Sequence, residues 1–269
     1  MITGRKLVSS NASVASFFIV IAITDLGDAL RRFDVPGARL HTRADGRGDA
    51  SPRRRAAVVG GAFTGAVRRR SRVCRMLGER AQAFPILQSR LAGARLHHSM
   101  RAIAVAQRAT DMIAMPAKSR FTQGGSPADK QLVQAFIADS YTELVPFRLA
   151  VLHAARLIDT AGEHAARAEI AVCKILAARV VQSTALRAIQ VHGALGITDQ
   201  MPLTGMLLGR LALGLADGPT EAHQVNLARL LLKDYEPEDS KTPSESVPNR
   251  IGAAKAKYDG LVDKVPSVP

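Results

Sequence analysis

From residue 84 onward apolar side chains recur every three or four positions, the spacing that lines one face of an α-helix. The period predicts five helices, over about 84–115 (ending at Pro116), 127–161, 163–192 (stopping at Gly193), 201–215 and 219–234. In the second of these Leu132, Phe136, Ile137, Tyr141, Leu144, Val145, Leu149 and Leu152 form the apolar face. In the third the face runs through Ile170, Cys173, Leu176, Val180 and Leu186. Long helices with short connections favour antiparallel neighbours, so residues 77–235 are expected to form an antiparallel bundle. Pro146 lies inside the second helix, where it removes one backbone bond and is expected to kink the helix or cost about 3 kcal/mol.

The period changes ahead of the bundle. Residues 2–8 and 17–23 are rich in β-branched and aromatic side chains and read as strands split by Ser9-Ser10-Asn11. The apolar run at 15–24 follows Arg5 and Lys6. It is shorter than the roughly 20 residues a bilayer span needs, so no membrane span is expected. Residues 41–76 are rich in Arg, Ala and Gly with neither period. Residues 236–269 set five prolines among charges and Ser, and read as a flexible tail. Four zones result: a partial β region at 1–40, an irregular Arg-rich segment at 41–76, a helical domain at 77–235 and the tail at 236–269. The fold class expected is mainly α.

Composition narrows the function classes. With 269 residues, 47% apolar and 22% charged, the chain can bury a sizeable core. Aromatics make up only 4%, with no Trp, which argues against base-stacking platforms. Cys74 and Cys173 have no partner at metal-ligand spacing, so neither a zinc site nor a disulfide scaffold is expected, and a reducing cytoplasm is the expected compartment. The net charge of +14 is concentrated: between Arg31 and Arg75 stand 13 Arg and no Lys against Asp34, Asp45 and Asp49. A single block of like charge is more often solvated than a specific binder, so no nucleic-acid partner is expected.

Three segments carry candidate chemistry. Asp217 sits at a Gly-Pro turn opening the last helix, where Gly218 suits the turn, Pro219 a first helical position, and Asp217 or Glu221 the positive helix end. Gln190-Val-His-Gly-Ala-Leu-Gly196 places small residues at a helix C-terminus, which permits close approach of a ligand or another chain. Lys118-Ser-Arg-Phe-Thr-Gln-Gly-Gly125 is a cationic connection whose Arg120 could grip a phosphate. Each alone is better explained as ordinary helix punctuation.

Taken in order, the segments resemble the acyl-CoA dehydrogenase family. Leu91-Ala-Gly-Ala-Arg-Leu-His-His-Ser-Met-Arg101 is similar to the entry of its C-terminal helical domain, in the subgroup with a His-His pair. The Arg120 loop is similar to its Arg-x-x-Phe-Gly segment, residues 190–196 to its Gln-x-x-Gly-Gly-x-Gly segment, and Asp217-Gly-Pro-Thr-Glu-Ala-His223 to the subgroup's Asp-Gly-Pro-x-Glu-x-His. Residues 2–10 and 18–25 look like part of the middle β-domain. The resemblance implies a helical bundle of this family's type with a small, incomplete N-terminal β remnant.

It also implies a flavoprotein that dehydrogenates an acyl-CoA thioester, with Asp217 taking the α-proton while a hydride leaves Cβ for FAD. Arg120, Gln190, Gly193, Gly196, Ser10 and Glu221 would belong to the cofactor site and Arg95 to the substrate site. The implied partners are the acyl-CoA, like subunits in a dimer or tetramer, and an electron-transfer flavoprotein or similar acceptor. The sequence departs from the pattern where Val8 replaces a Trp, Gln123 a Phe and Ala194 a Gly. The family's N-terminal helical domain has no counterpart here, so a truncated and inactive enzyme is expected. Two alternatives follow from charge and helix pattern: a non-catalytic helical module that assembles with full-length relatives, and a basic nucleic-acid-binding protein.

Overall fold

A computed structural model describes residues 8–10, 18–19, 21–23, 33–34, 36–38, 62–64, 75–79, 82–237 and 243–262. The predicted bundle forms. Helices α1 (Ala83–Ser119), α2 (Gln131–Ala161), α3 (Arg167–His192), α4 (Leu203–Leu215) and α5 (Thr220–Leu231) follow one another, with a short 3-10 turn at Pro127–Asp129 ahead of α2 and another at Gly193–Ile197 after α3. None of the described helices is long and apolar enough to cross a membrane.

The centre of the bundle is α3, which packs on α1, α2 and α4. Its contact with α1 is made mostly of alanines. Along α1, Ala92, Leu96, Ser99, Ala102, Ala106, Ala109, Ile113 and Ala117 are buried, spaced by three or four residues. On α3 the buried set includes Cys173, Ala177, Ala178, Val181, Ala185 and Ala188. Small side chains along both seams let the backbones approach closely, and α2 supplies the bulk with Leu144, Phe147 and Val151. Phe147 is fully buried and is the largest side chain in that position. Arg95 of α1 and Lys174 of α3 both reach the segment after α4, while Arg120, just past α1, reaches Val191 near the end of α3. Helices α1 and α3 therefore run in the same direction, with α2 returning between them.

Several sequence expectations shift in detail. Helix α1 continues through Pro116 to Ser119, because the Arg120 amide donates to the Pro116 carbonyl and the buried Ala117 ties the last turn to the core. Helix α2 is unbroken in extent across Pro146, whose neighbours Leu144 and Phe147 are buried. Burial of the flanking residues outweighs one missing donor. Leu132, Tyr141, Leu149 and Leu152 belong to the apolar pattern of α2 yet are exposed, since the face turned to α1 and α3 is that of Ser140, Leu144, Phe147, Val151 and Ala154.

The N-terminal strands are two or three residues long. Strands β1 (Val8–Ser10) and β6 (Ala62–Thr64) pair antiparallel, with Ser9 opposite Phe63. A three-stranded sheet has the order β2 (Phe18–Ile19), β5 (Pro36–Ala38), β7 (Arg75–Met76), and β3 (Ala22–Ile23) pairs with β4 (Phe33–Asp34). Ser9 and Ser10 thus lie in a strand, not in the break between strands. Strands β6 and β7 fall in the Arg-rich segment that shows no period, because so few residues cannot display alternation. The proposed strand at 2–7 lies outside the described residues.

The chain divides into two compact units, Met1–Leu227 and Ala228–Pro269. Within the stretch expected to be a flexible tail it holds a sixth helix, α6 (Val247–Val262). Ala253, Ala254, Lys255, Ala256 and Lys257 are strong helix formers, and Pro248 falls in the first turn, where its missing N–H costs nothing.

Candidate active site

The turn between α4 and α5 is built by three consecutive residues with different tasks. After Ala216, whose amide donates to the Ala212 carbonyl at 2.8 Å, Asp217 and Gly218 adopt φ of 55° and 105°. Asp tolerates the left-handed region better than most side chains, and Gly enters it freely. A Cβ on Gly218 would also stand 3.1 Å from Nε2 of His223. Pro219 then opens α5, its carbonyl accepting from the amides of Ala222 and His223. This reversal lifts the Asp217 carboxylate out of both helices.

Four basic side chains surround it. Arg95 Nε donates to the Asp217 carbonyl at 2.9 Å, and its Nη1 donates to Gln88 Oε1 at 2.9 Å. His98 Nε2 lies 3.3 Å from Asp217 Oδ2, with the two side chains 29% and 20% exposed. That is ion-pair distance without hydrogen-bond alignment, so Oδ2 and the buried Nε2 of His223 have no hydrogen-bond partner among the described residues. Lys174, from the buried face of α3, donates through Nζ to the carbonyls of Leu213 at 2.6 Å and Ala216 at 2.9 Å.

Burial sets the charge balance of this cluster. It pushes the pKa of Lys174 down, opposed by the Asp217 charge and reinforced by Arg95. It lowers Arg95 as well, again against Asp217. His98 is lowered chiefly by burial, with Asp217 opposing and Lys174, Arg101 and His97 adding. His223 is lowered by burial and then by Arg95 and Lys174, with the Asp217 carbonyl and carboxylate opposing. Both imidazoles therefore favour the neutral form more than an ordinary histidine does.

A pH dependence of stability follows. Between the depressed folded value and the ordinary histidine value of 6.5 the unfolded chain binds more protons than the folded one, so stability falls as pH drops below that value. The melting temperature is expected to fall as pH is lowered from neutral to about 5, and His223→Gln should flatten that fall. Calorimetric melts across this range check it; identical curves for the two proteins would refute the assignment to His223.

The opposite ends of α1 and α3 gather a second group. Arg120 Nη1 donates to the Val191 carbonyl at 3.1 Å. Its loop is closed by Thr122 and Gly125, which exchange backbone hydrogen bonds across Gln123 and Gly124, both at positive φ. Gly193 ends α3 at φ 65°, with its amide donating to the Gln190 and Ile189 carbonyls. Gly196 is buried, and a Cβ there would fall 2.8 Å from the Ile189 carbonyl oxygen, a contact with rigid backbone that only Gly avoids. Gln190 is exposed. Glu221 is not part of this group: it stands in the first turn of α5, four residues after Asp217, and lines a cleft of about 280 Å³ with Ile175, Arg179, Gln182, Arg210 and Gln224.

The structure thus joins Asp217 with Arg95, and Arg120 with residues 190–196. Ser10 lies in β1, and its side chain is outside the described residues. Sequence reasoning gave no role to His98, Lys174 or His223. The two histidines stand inside the quoted motifs. Lys174 could have been found as a lone charge within the apolar stripe Ile170, Cys173, Ala177, Ala178, Val181.

Comparison with known proteins places the helical domain in a family. The family described as "Acyl-CoA dehydrogenase, C-terminal domain" matches residues 82–232, more than half of the chain. Acyl-CoA dehydrogenase family member 11 of Rattus norvegicus is 40% identical over 159 residues, 59% of this chain and 20% of that protein. The Mycobacterium tuberculosis protein named "Probable acyl-CoA dehydrogenase FadE2" is 39% identical over 154 residues, 57% of this chain and 38% of its own. The match therefore spans well under half the length of either relative. Butyryl-CoA dehydrogenase from Megasphaera elsdenii superposes with a TM-score of 0.73 at 20% identity, covering 86% of this chain and 60% of that one. The glutaryl-CoA complex of glutaryl-coenzyme A dehydrogenase gives 0.75 at 21%, covering 87% and 59%. At these identities the superpositions show the fold, whereas the family match rests on the sequence of the bundle. The chain belongs to the acyl-CoA dehydrogenase family, a family of oxidoreductases, and its residues 82–232 are the C-terminal domain.

Proposed function

We propose that the chain takes part in FAD-dependent dehydrogenation of an acyl-CoA thioester between Cα and Cβ, with Asp217 as the base that removes the α-proton. The observation that carries this reading is the left-handed Asp217–Gly218 turn, which presents one carboxylate among Arg95, His98, Lys174 and His223. A carboxylate only 20% exposed has few water contacts to give up when it accepts a proton. His98 stands beside Oδ2 at 3.3 Å and helps to screen it from water. Arg95 is committed to the Asp217 main chain and Gln88, so its contribution beside the substrate is to keep the base loop facing the thioester.

The residues at the other end of α3 fit FAD. Arg120 is exposed, with donors left over after its bond to Val191, and a guanidinium fork suits a pyrophosphate. Gly193, Gly124 and Gly125 have open space where a Cβ would stand. Arg120, Gln190, Gly193 and Gly196 would hold the cofactor, with Ser10 and Glu221 as the further members of the set. Bound FAD supplies the acceptor for the β-hydride. Like subunits and an electron-transfer flavoprotein are the proposed partners, supported on the first count by the exposed Leu132, Tyr141, Leu149 and Leu152 along α2.

The test is the visible spectrum of the purified chain with added FAD, followed by anaerobic addition of acyl-CoA. A stoichiometric flavin band that bleaches on substrate would support the proposal. A chain that retains no flavin would overturn the proposal and leave the reading of an inactive protein in its place.

A further inference from the structure

We propose that Lys174 is a positioning residue for Asp217, clamping the end of α4 so that the Asp217–Gly218 turn is held left-handed; the inference rests on the assignment of Asp217 as base. Lys174 is 1% exposed, on the face of α3 that carries Ile170, Cys173, Ala177 and Ala178. A buried ammonium is tolerated only where its protons find acceptors, and Nζ has two: the carbonyls of Leu213 and Ala216, at 2.6 and 2.9 Å. The Leu213 carbonyl lies in the last turn of α4, where intrahelical donors run out. The Ala216 carbonyl belongs to the peptide plane that also carries the Asp217 amide.

That second contact decides the role. The peptide unit is rigid, so the conformation at Asp217 is the relation between the plane before its Cα and the plane after it. Lys174 holds the first through the Ala216 carbonyl, and Arg95 holds the second through the Asp217 carbonyl at 2.9 Å. With both planes fixed from two different helices, Asp217 keeps φ at 55°, a value unfavourable for a residue with a Cβ. The direction in which the carboxylate leaves the chain is then set by α1 and α3, outside the loop itself.

The experiment is NMR on the isotopically labelled chain. In Lys174→Met the Asp217 Cα and Cβ shifts should leave their left-handed values, and amide exchange at Asp217 and Gly218 should rise at least about tenfold. Amides of α1 between Ala102 and Ala109 should change less than about twofold. Lys174→Arg, which restores a cationic donor, should recover part of the wild-type pattern. A folded Lys174→Met with unmoved Asp217 shifts, or with exchange raised uniformly, overturns the proposal. A measurement on the unaltered chain covers a variant that does not fold: the Nζ protons of Lys174 should exchange slowly with water, and fast exchange overturns the proposal as well. Where the chain turns over, Lys174→Met is expected to lower kcat by about 100-fold with KM little changed. Absence of turnover counts against the proposed function alone, because the NMR readout needs no cofactor.

Discussion

Asp217→Asn is expected to lower the rate at which acyl-CoA bleaches bound flavin by about 10²–10⁴-fold while leaving FAD binding in place. Asn has the size of Asp and enters the left-handed region at least as readily, so the turn at φ 55° is retained. The main-chain contacts from Arg95 and Lys174 involve carbonyls and do not depend on the side chain. Arg120, Gln190 and Gly193 are carried by other segments of the chain, so cofactor affinity should not move. What is lost is the group that accepts the proton. Stopped-flow absorbance under anaerobic conditions separates these effects, and a bleaching rate equal to that of the unaltered chain would reject Asp217 as the base.

Phe147→Ala should destabilise the bundle by about 3–5 kcal/mol. Phe147 is fully buried and packs with Leu96, Ala102, Ala106, Leu144, Val151, Cys173, Ala177 and Val180 of three helices. Ala102, Ala106 and Ala177 are too short to reach into the void, and they lie on seams already in close contact. Domains of this kind are stable by about 5–15 kcal/mol in total, so the loss is a large fraction. Chemical denaturation followed by circular dichroism measures it. A loss under about 1 kcal/mol would mean that the helices collapse around the gap, and that the alanine seams are less constraining than their burial indicates.

Much of the bundle is legible in the sequence because helices of 26 to 37 residues display their period many times over. Of the strands only β2 and β3 are legible, inside the apolar run at 17–23; the others carry too few residues to show a period and pair with partners far along the chain, as Ser9 does with Phe63. Helix α6 was hidden by a different effect: prolines around 237–248 dominate the composition of a segment whose later half is rich in Ala and Lys. At the candidate site the order of the motifs picked out Asp217, Arg120 and residues 190–196. It did not pick out Lys174, since a single lysine in an apolar stripe looks like an interruption until its acceptors on another helix are seen.

The alanine seam between α1 and α3 gives the bundle the property of a ruler. Arg95 on α1 and Arg120 just past its last turn mark the two ends, each fastened to a group outside that helix, at the Asp217 and Val191 carbonyls. Between them lie Ala102, Ala106 and Ala109, whose packing admits little rotation or sliding. Removing one residue from this stretch would advance one arginine by about 1.5 Å and turn it by about 100° around the helix axis, away from its carbonyl. The number of residues between the two marks, whatever their identity, is therefore as much a part of the site as the arginines themselves.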